Sequence, residues 1–249
     1  MPSPPEFKDH FSSQSAAYHK YRPDYPDALF DWLAGIAPGR GLALDVATGN
    51  GQAAVALARH FDAVIATEPS AAQLRSARPH PRVTYRLEPA EAISLAPGSA
   101  DLVVVAQAAH WFDWPRFTAE AARVLRPGGV IAIWSYGNCE VTARIDRLVA
   151  DFFRDVVGPY WPRERRHVEE DYRDLALPWP PLSTPDFAMG TRWDAAAMLG
   201  YLDTWSAVRR CRARTGRDPL ALVAAPLSAA WGAEPRDVRW PLTLRAGRA

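Results

Sequence analysis

The residues best suited to chemistry are Asp45, Gly49, Gly51 and Glu68. The stretch Leu44-Asp45-Val46-Ala47-Thr48-Gly49-Asn50-Gly51-Gln52 passes from an apolar strand through a glycine turn into an alanine-rich helix. Glycines remove side chains where backbone must approach a ligand, and a helix beginning near Gln52 offers unpaired N–H groups and the positive end of its dipole. Such a loop suits a polar, anionic group on a nucleotide-like cofactor. Gly49, Gly51 and Ala54 satisfy G-x-G-x-x-A. Glu68 follows on the next apolar run, about 20 residues on, where its two carboxylate oxygens can accept from both ribose hydroxyls. Alone, this fingerprint does not choose between nucleotide cofactors.

A second group lies at Gln107-Ala108-Ala109-His110-Trp111-Phe112-Asp113. An imidazole titrates near neutrality, so His110 can act as a general base; next to Trp111 and Phe112 it can equally be a packing and hydrogen-bonding residue. Trp111, Trp134, Tyr136, Trp161, Tyr201 and Trp205 offer an apolar wall for an acceptor, although rings also build ordinary cores. Arg209 and Arg210 offer anchors for an acidic acceptor, or a solvated helical face.

These residues need a frame. After Gly41, apolar strand-like runs (residues 42–47, 63–68, 83–87, 102–106 and 130–134) alternate with helix-like segments. The helix from Gln52 to His60 has small side chains that permit close packing. That at Arg116 to Leu125 is expected to end sharply at Arg126-Pro127-Gly128-Gly129. Several strands are continuous apolar runs, as expected where helices cover both faces of a parallel sheet. The fold expected is α/β: a doubly wound, Rossmann-like sheet. Asp45, Gly51, Glu68, Glu91, Gln107 and Tyr136 would gather outside the carboxyl ends of its strands. From residue 138 to 184 prolines interrupt a Trp-, Arg- and Glu-rich segment, which resembles a helical cap. Residues 187–193 and 238–246 regain strand character and would complete the sheet, with helices at 195–214 and 220–231 between them.

The chain has 249 residues, 48% of them hydrophobic, enough for a substantial core; 29 basic residues against 28 acidic give a net charge of +1. That balance supplies no field for nucleic acid or an anionic membrane, so a small-molecule partner is expected, with the chain a monomer or weak homodimer. Cys139 and Cys211 lack the paired spacing of a metal site or disulfide framework. With no membrane-length apolar run and no secretory segment near Lys8 and His10, the cytoplasm is the expected location.

Taken together, Asp45 to Gly51, Glu68-Pro69-Ser70, Ala90-Glu91, Gln107 to Asp113 and Arg123-Val124-Leu125-Arg126-Pro127-Gly128-Gly129 resemble a class I S-adenosylmethionine-dependent methyltransferase. Phe11-Ser12-Ser13, Tyr18, Tyr21 to Pro26, His110 to Asp113 and Tyr201 to Ser206 narrow the resemblance to the methyltransferase type 11 branch that includes trans-aconitate methyltransferase-like proteins. It runs nearly end to end.

The resemblance implies one methyltransferase domain over 1–249, with a sheet of about seven strands, the last antiparallel. Residues 1–40 would cover the cofactor, 41–137 bind it, 138–184 form a cap insertion and 185–249 supply the last strands and substrate-side helices. S-adenosylmethionine would contact Tyr18, Arg22, Asp45, Thr48, Gly49, Gly51, Gln52, Glu68, Pro69, Ala90, Glu91, Gln107 and His110. Tyr18 and Arg22, four apart on an expected N-terminal helix, would share a face, with Arg22 on the methionyl carboxylate. Pro89 stands where many relatives carry an acid, so Glu91 or a backbone N–H would replace that contact, or adenine would be held mainly by apolar packing from residues such as Pro69. Trp111, Trp134, Tyr136, Tyr201 and Trp205 would line the acceptor. A sulfonium already carries a good leaving group, so alignment and exclusion of water can suffice without a base. Two alternatives stay open: an NAD-dependent oxidoreductase sharing the glycine fingerprint, and a non-catalytic protein of the same fold.

Overall fold

A computed structural model describes residues 21–249; Tyr18 and the Phe11-Ser12-Ser13 motif lie outside them. The elements are α1 (Asp27–Ile36), β1 (Leu42–Val46), α2 (Gln52–Leu57), β2 (Ala63–Thr67), α3 (Ala71–Leu74), β3 (Val83–Arg86), β4 (Ala100–Ala106), α4 (Trp114–Val124), β5 (Leu125–Tyr136), α5 (Ala143–Asp151), α6 (Arg165–Glu169), β6 (Phe187–Trp193), α7 (Ala195–Asp203), α8 (Ser206–Thr215), α9 (Ala224–Trp231) and β7 (Arg236–Arg248). They form one seven-stranded sheet in the order β3-β2-β1-β4-β5-β7-β6. β1 to β5 pair in parallel, and β7 runs antiparallel to both β5 and β6. The expected doubly wound sheet with an antiparallel last strand is present.

The period of two within β4 explains why its sequence is uniformly apolar. Leu102 and Val104 face one core with Leu29, Phe30 and Leu33 of α1 and Ala53, Ala54 and Leu57 of α2. Val103 and Val105 face the other core with Phe117, Ala121 and Val124 of α4. All four strand residues are fully buried, and each contributes about 1.5–3 kcal/mol of hydrophobic stabilisation. Ala53 and Ala54 keep α2 close to the sheet, which brings its N-terminus to the tip of β1.

The Arg126-Pro127-Gly128-Gly129 segment departs from its expected role as a turn between helix and strand. β5 starts at Leu125, directly after α4, and runs through these residues, with its register against β4 shifting between Ala100 and Leu102. Arg126 is held by Asp101, a fully buried carboxylate 2.8 Å away.

Residues 138–184 divide their packing. Ile145 and Val149 of α5 join a third core with Met198, Leu202, Val208, Leu227, Trp231 and Trp240, from the elements that follow β5. Val168, Tyr172 and Leu175 pack on the α4 side of the sheet instead. The segment therefore bridges the two sides above the tips of β4 and β5. The expected helix over 195–214 breaks at Thr204-Trp205 into α7 and α8, and 220–231 is a 3-10 turn followed by α9. Among the described residues no helix is long and apolar enough to cross a membrane.

Candidate active site

The first half of the site is built by β1, β2 and the turn between β1 and α2. Thr48 N–H donates to Thr67 O at 2.9 Å, fixing the turn to β2. Thr48 Oγ1 donates to Asp45 Oδ2 at 2.5 Å. Asp45 Oδ1 is buried and has no partner among the described residues. Burial raises the Asp45 pKa to about 7, opposed by the Thr48 hydroxyl and the backbone N–H of Ala54 and reinforced by the negative charge of Glu68. Glu68, 3% exposed, accepts from Gly49 N–H at 2.9 Å and from Ser70 N–H at 3.0 Å. Its carboxylate thus clamps the glycine turn to the end of β2, and half-buried Pro69 lies between the two anchored amides.

Gly51 has a second reason to be glycine. Its φ is +82°, and a Cβ there would meet the Tyr85 hydroxyl at 2.1 Å, so the residue accommodates Tyr85 of β3 as well as leaving the turn open. Gln52, expected at the cofactor, instead donates through Nε2 to Pro23 O at 3.1 Å and ties the start of α2 to the segment before α1. Ala90 is buried in the α4-side core. Glu91, expected near adenine, accepts from Asp113 N–H at 2.9 Å.

The second half sits at the tips of β4 and β5. Gln107 has φ +57°, uncommon for a residue with a side chain. Its Oε1 accepts from Tyr136 N–H at 2.8 Å and its Nε2 donates to Tyr136 O at 3.1 Å, so its amide staples β4 to β5. His110 follows on a short 3-10 turn, 9% exposed, with Nδ1 2.9 Å from the Tyr172 hydroxyl and its ring 4.7 Å from that of half-buried Trp111. Burial lowers the His110 pKa to about 3, with the positive charges of Arg165 and His167 adding to the effect. The imidazole is neutral at physiological pH and a weak proton acceptor.

Arg22 does not lie on a helix; residues 21–26 form a turn and an extended lead into α1. Its Nη1 donates to the Tyr136 hydroxyl at 2.6 Å, and its Cζ is 4.9 Å from the Tyr201 ring centroid and 5.6 Å from that of Tyr136. Tyr201 also meets Trp205 and Trp240 edge to face, and Trp205 lies 5.5 Å from Trp161. Of the expected aromatic wall, Tyr136, Tyr201, Trp205 and Trp161 therefore gather on the Arg22 side, Trp111 lies against His110, and Trp134 needs a correction. Trp134 is fully buried under Tyr25 and Phe30 in the core against α1. It points to the opposite side of β5 from its neighbours Ile133 and Ser135, and serves packing.

Three residues that the sequence reading did not single out complete this half. Arg165, on α6, stacks its guanidinium 4.9 Å from the Trp161 ring centroid and 5.7 Å from that of Phe153. Its Nε is buried without a hydrogen-bond partner, and no carboxylate lies within ion-pair distance among the described residues. Burial lowers its pKa and the charge of Arg22 acts in the same direction, against Tyr201, Glu169 and Tyr136. Arg165 thus reaches electrostatically both His110 and the Arg22, Tyr136 and Tyr201 group. Tyr172 supports His110 from beneath, and Arg245 of β7 donates to the carbonyl oxygens of Tyr172 and Leu175. In sequence Arg165 is one of several arginines in a charged run, and Tyr172 is an aromatic residue after Glu169-Glu170-Asp171. Neither carries a motif.

A glycine turn between β1 and α2 with a buried acid at the tip of β2 is the arrangement of a nucleotide-cofactor site in a doubly wound sheet. A family profile described as a methyltransferase domain matches residues 44–133. A Dictyostelium discoideum protein named as a methyltransferase is 37% identical over 210 residues, covering 83% of this chain and 80% of that protein. A Saccharomyces cerevisiae protein named as an S-adenosylmethionine-dependent methyltransferase is 30% identical over 172 residues, 64% of this chain and 59% of that one. Among solved structures, one from Anaeromyxobacter dehalogenans named as a type II methyltransferase is 50% identical, with a TM-score of 0.86 and coverage of 92% of this chain and 98% of that one. The chain belongs to the class I S-adenosylmethionine-dependent methyltransferases, in the methyltransferase type 11 branch.

Proposed function

We propose that the chain transfers a methyl group from S-adenosylmethionine to a small-molecule acceptor bearing an acidic group, seated beyond the tips of β4 and β5. The observation that carries the acidic acceptor is Arg165: a guanidinium stacked on Trp161, with a buried, unpartnered Nε and no counter-ion among the described residues. Guanidinium does not deprotonate in proteins, and a charge taken out of water without a partner is costly. An acceptor carboxylate would relieve that cost through two-point hydrogen bonding, for which the guanidinium fork is shaped.

The residues on the other side suit the cofactor. Asp45 Oδ1 is a buried acceptor with no protein donor among the described residues, and would hold the ammonium of the amino-acid portion. Glu68 would accept from the ribose hydroxyls while keeping its two backbone amides, because a carboxylate has about four lone-pair sites. Arg22, from the β4–β5 side where Tyr136 holds it, would reach the methionyl carboxylate. When bound, the sulfonium supplies an electrophilic methyl group and a neutral leaving group. The chain's residues contribute alignment, exclusion of water and a charge field, each a recognised source of acceleration. The oxidoreductase alternative does not account for the family membership.

The test is a methyl-transfer screen, with mass spectrometry following the gain of one methyl, on small organic acids paired with their amides. Acids should react and the amides fail. Arg165→Met should raise KM for the acids by about 30-fold or more, the weight of about 2–5 kcal/mol carried by a desolvated charge pair, while leaving cofactor affinity unchanged. Equal turnover of acids and amides would reject the acidic acceptor.

A further inference from the structure

His110 stands where a base could act, yet its surroundings assign it a different job. Its Nδ1 is 2.9 Å from the Tyr172 hydroxyl. The hydroxyl is buried, and Nδ1 is its one hydrogen-bond partner among the described residues, so the phenol's own proton is turned towards Nδ1. The opposite arrangement, Nδ1–H donating to the phenol, would leave the buried phenolic proton without an acceptor among the described residues. The second ring nitrogen, Nε2, has no hydrogen bond to any described residue, and His110 keeps 9% of its surface exposed.

Tyr172 is held firmly enough for this task. It is fully buried, and it and Asp171 both sit in the left-handed region, at φ +55° and +56°. Two successive residues with side chains persist there only where the surroundings enforce it, and such strain clusters at functional sites. Here β7 enforces it: Thr243 Oγ1 donates to Asp171 Oδ1 at 3.0 Å, and Arg245 Nη1 donates to Tyr172 O and, at 2.9 Å, to Leu175 O. Three distant parts of the chain converge to fix one hydroxyl.

We propose that Tyr172 is a positioning residue: by donating to Nδ1 it holds His110 in the Nε2–H tautomer, so that His110 offers a hydrogen-bond donor to the acceptor and does not remove its proton. This rests on the methyl-transfer reading above and sharpens it. Together with Arg165 the group presents donors only, which fits an acceptor whose nucleophilic oxygen already bears its lone pair and negative charge at neutral pH. The transfer then needs no proton acceptor: the nucleophile's pair forms the new bond to the methyl carbon, the bonding pair stays on sulfur, and both charges are neutralised.

The experiment is nitrogen-15 NMR of the imidazole side chains in the full chain, with S-adenosylhomocysteine present and no acceptor. His110 is assigned by the signal lost in His110→Gln. The expected result is an unprotonated Nδ1 and a protonated Nε2 near neutral pH. In Tyr172→Phe, which removes only the hydroxyl, the preference should fall by about tenfold, the equivalent of one lost hydrogen bond. A protonated Nδ1 in the wild type, or an unaltered tautomer in Tyr172→Phe, would overturn the proposal. The wild-type spectrum decides by itself if the variant does not fold. Because no acceptor is present, failure here leaves the acidic-acceptor reading standing, and failure of the acid screen leaves the tautomer assignment standing.

Discussion

At the tips of β1 and β2 the site is acidic, with Asp45 and Glu68 buried beside a glycine turn; at the tips of β4 and β5 it is cationic, with Arg165 acting on a neutral His110 and Arg22 held by Tyr136. The two halves also differ in assembly. Asp45 and Thr48 are three residues apart and Glu68 reaches back 19 to Gly49, whereas His110 meets Tyr172 across 62 residues and Arg22 meets Tyr136 across 114. The difference teaches how a fold can sort two reactants. On the proposed reading, a cationic methyl donor would be drawn to the acidic half and an anionic acceptor to the basic half, with fixed charges of opposite sign setting their order before reaction.

The most pronounced test of the cationic half is its response to acid. His110 titrates at about 3 in the folded chain against an ordinary 6.5. Below the ordinary value the unfolded chain therefore takes up a proton that the folded chain refuses. This contribution is fully present above 6.5 and is lost as pH falls towards 3, by at most about 1.4 kcal/mol per pH unit and several kcal/mol in all. Urea unfolding between about pH 4 and about pH 6 should give a flatter stability profile for His110→Gln than for the wild type. Arg165→Met should also flatten it, because removing that charge lets the His110 pKa rise. An identical profile in Arg165→Met would separate the two residues and break the cationic half apart.

On the acidic half, Glu68→Ala removes a carboxylate that holds Gly49 N–H and Ser70 N–H as well as the proposed ribose contact. Cofactor affinity measured by calorimetry should fall by about 10- to 100-fold, corresponding to about 1–3 kcal/mol for charge-assisted bonds. Glu68→Gln should lose less, because its amide oxygen still accepts from one backbone N–H. An Ala variant that binds as tightly as wild type would show that Glu68 serves only the turn, and the contrast between the halves would lose its acidic member.

The uneven legibility of the sequence follows from the same contrast. The acidic half is local: a strand, a glycine turn and the next strand end, so Asp45, Thr48, Gly49, Gly51 and Glu68 stand together in a readable motif. The seven-stranded sheet was equally legible, since buried parallel strands require continuous apolar runs. The cationic half depends on which distant segments fold over the tips of β4 and β5. Arg165 and Tyr172 lie in a charged, proline-interrupted stretch whose periodicity says nothing of its destination. Trp134 shows the converse: it shares a face of β5 with Tyr136, but its ring is covered by Tyr25 and Phe30 in the α1 core, whereas Tyr136 at the strand's end joins the cluster around Arg22. The Arg126-to-Gly129 segment misled for a third reason, because its composition fitted a turn while the edge of β4 claimed its backbone for the sheet.

The finest discrimination concerns Asp45, whose pKa of about 7 arises chiefly from burial. A raised carboxylate has the opposite sign to His110: the folded chain holds a proton that the unfolded chain releases above 3.8, so this group's contribution is present at low pH and is lost as pH rises to about 7. An ammonium at Oδ1 would reverse that preference by favouring the ionised form. Cofactor binding below about pH 7 should then release a proton, and the dissociation constant should weaken by about tenfold per pH unit as the solution is acidified. The cofactor's own amino group stays protonated throughout, since α-amino groups titrate near 8. Calorimetry in two buffers of different ionisation enthalpy counts the proton directly. Asp45→Asn should bind with a flat profile and no proton release. A wild type that is also flat would mean that Asp45 remains a protonated partner of Thr48 in the complex, leaving Glu68 as the only charge on the acidic half.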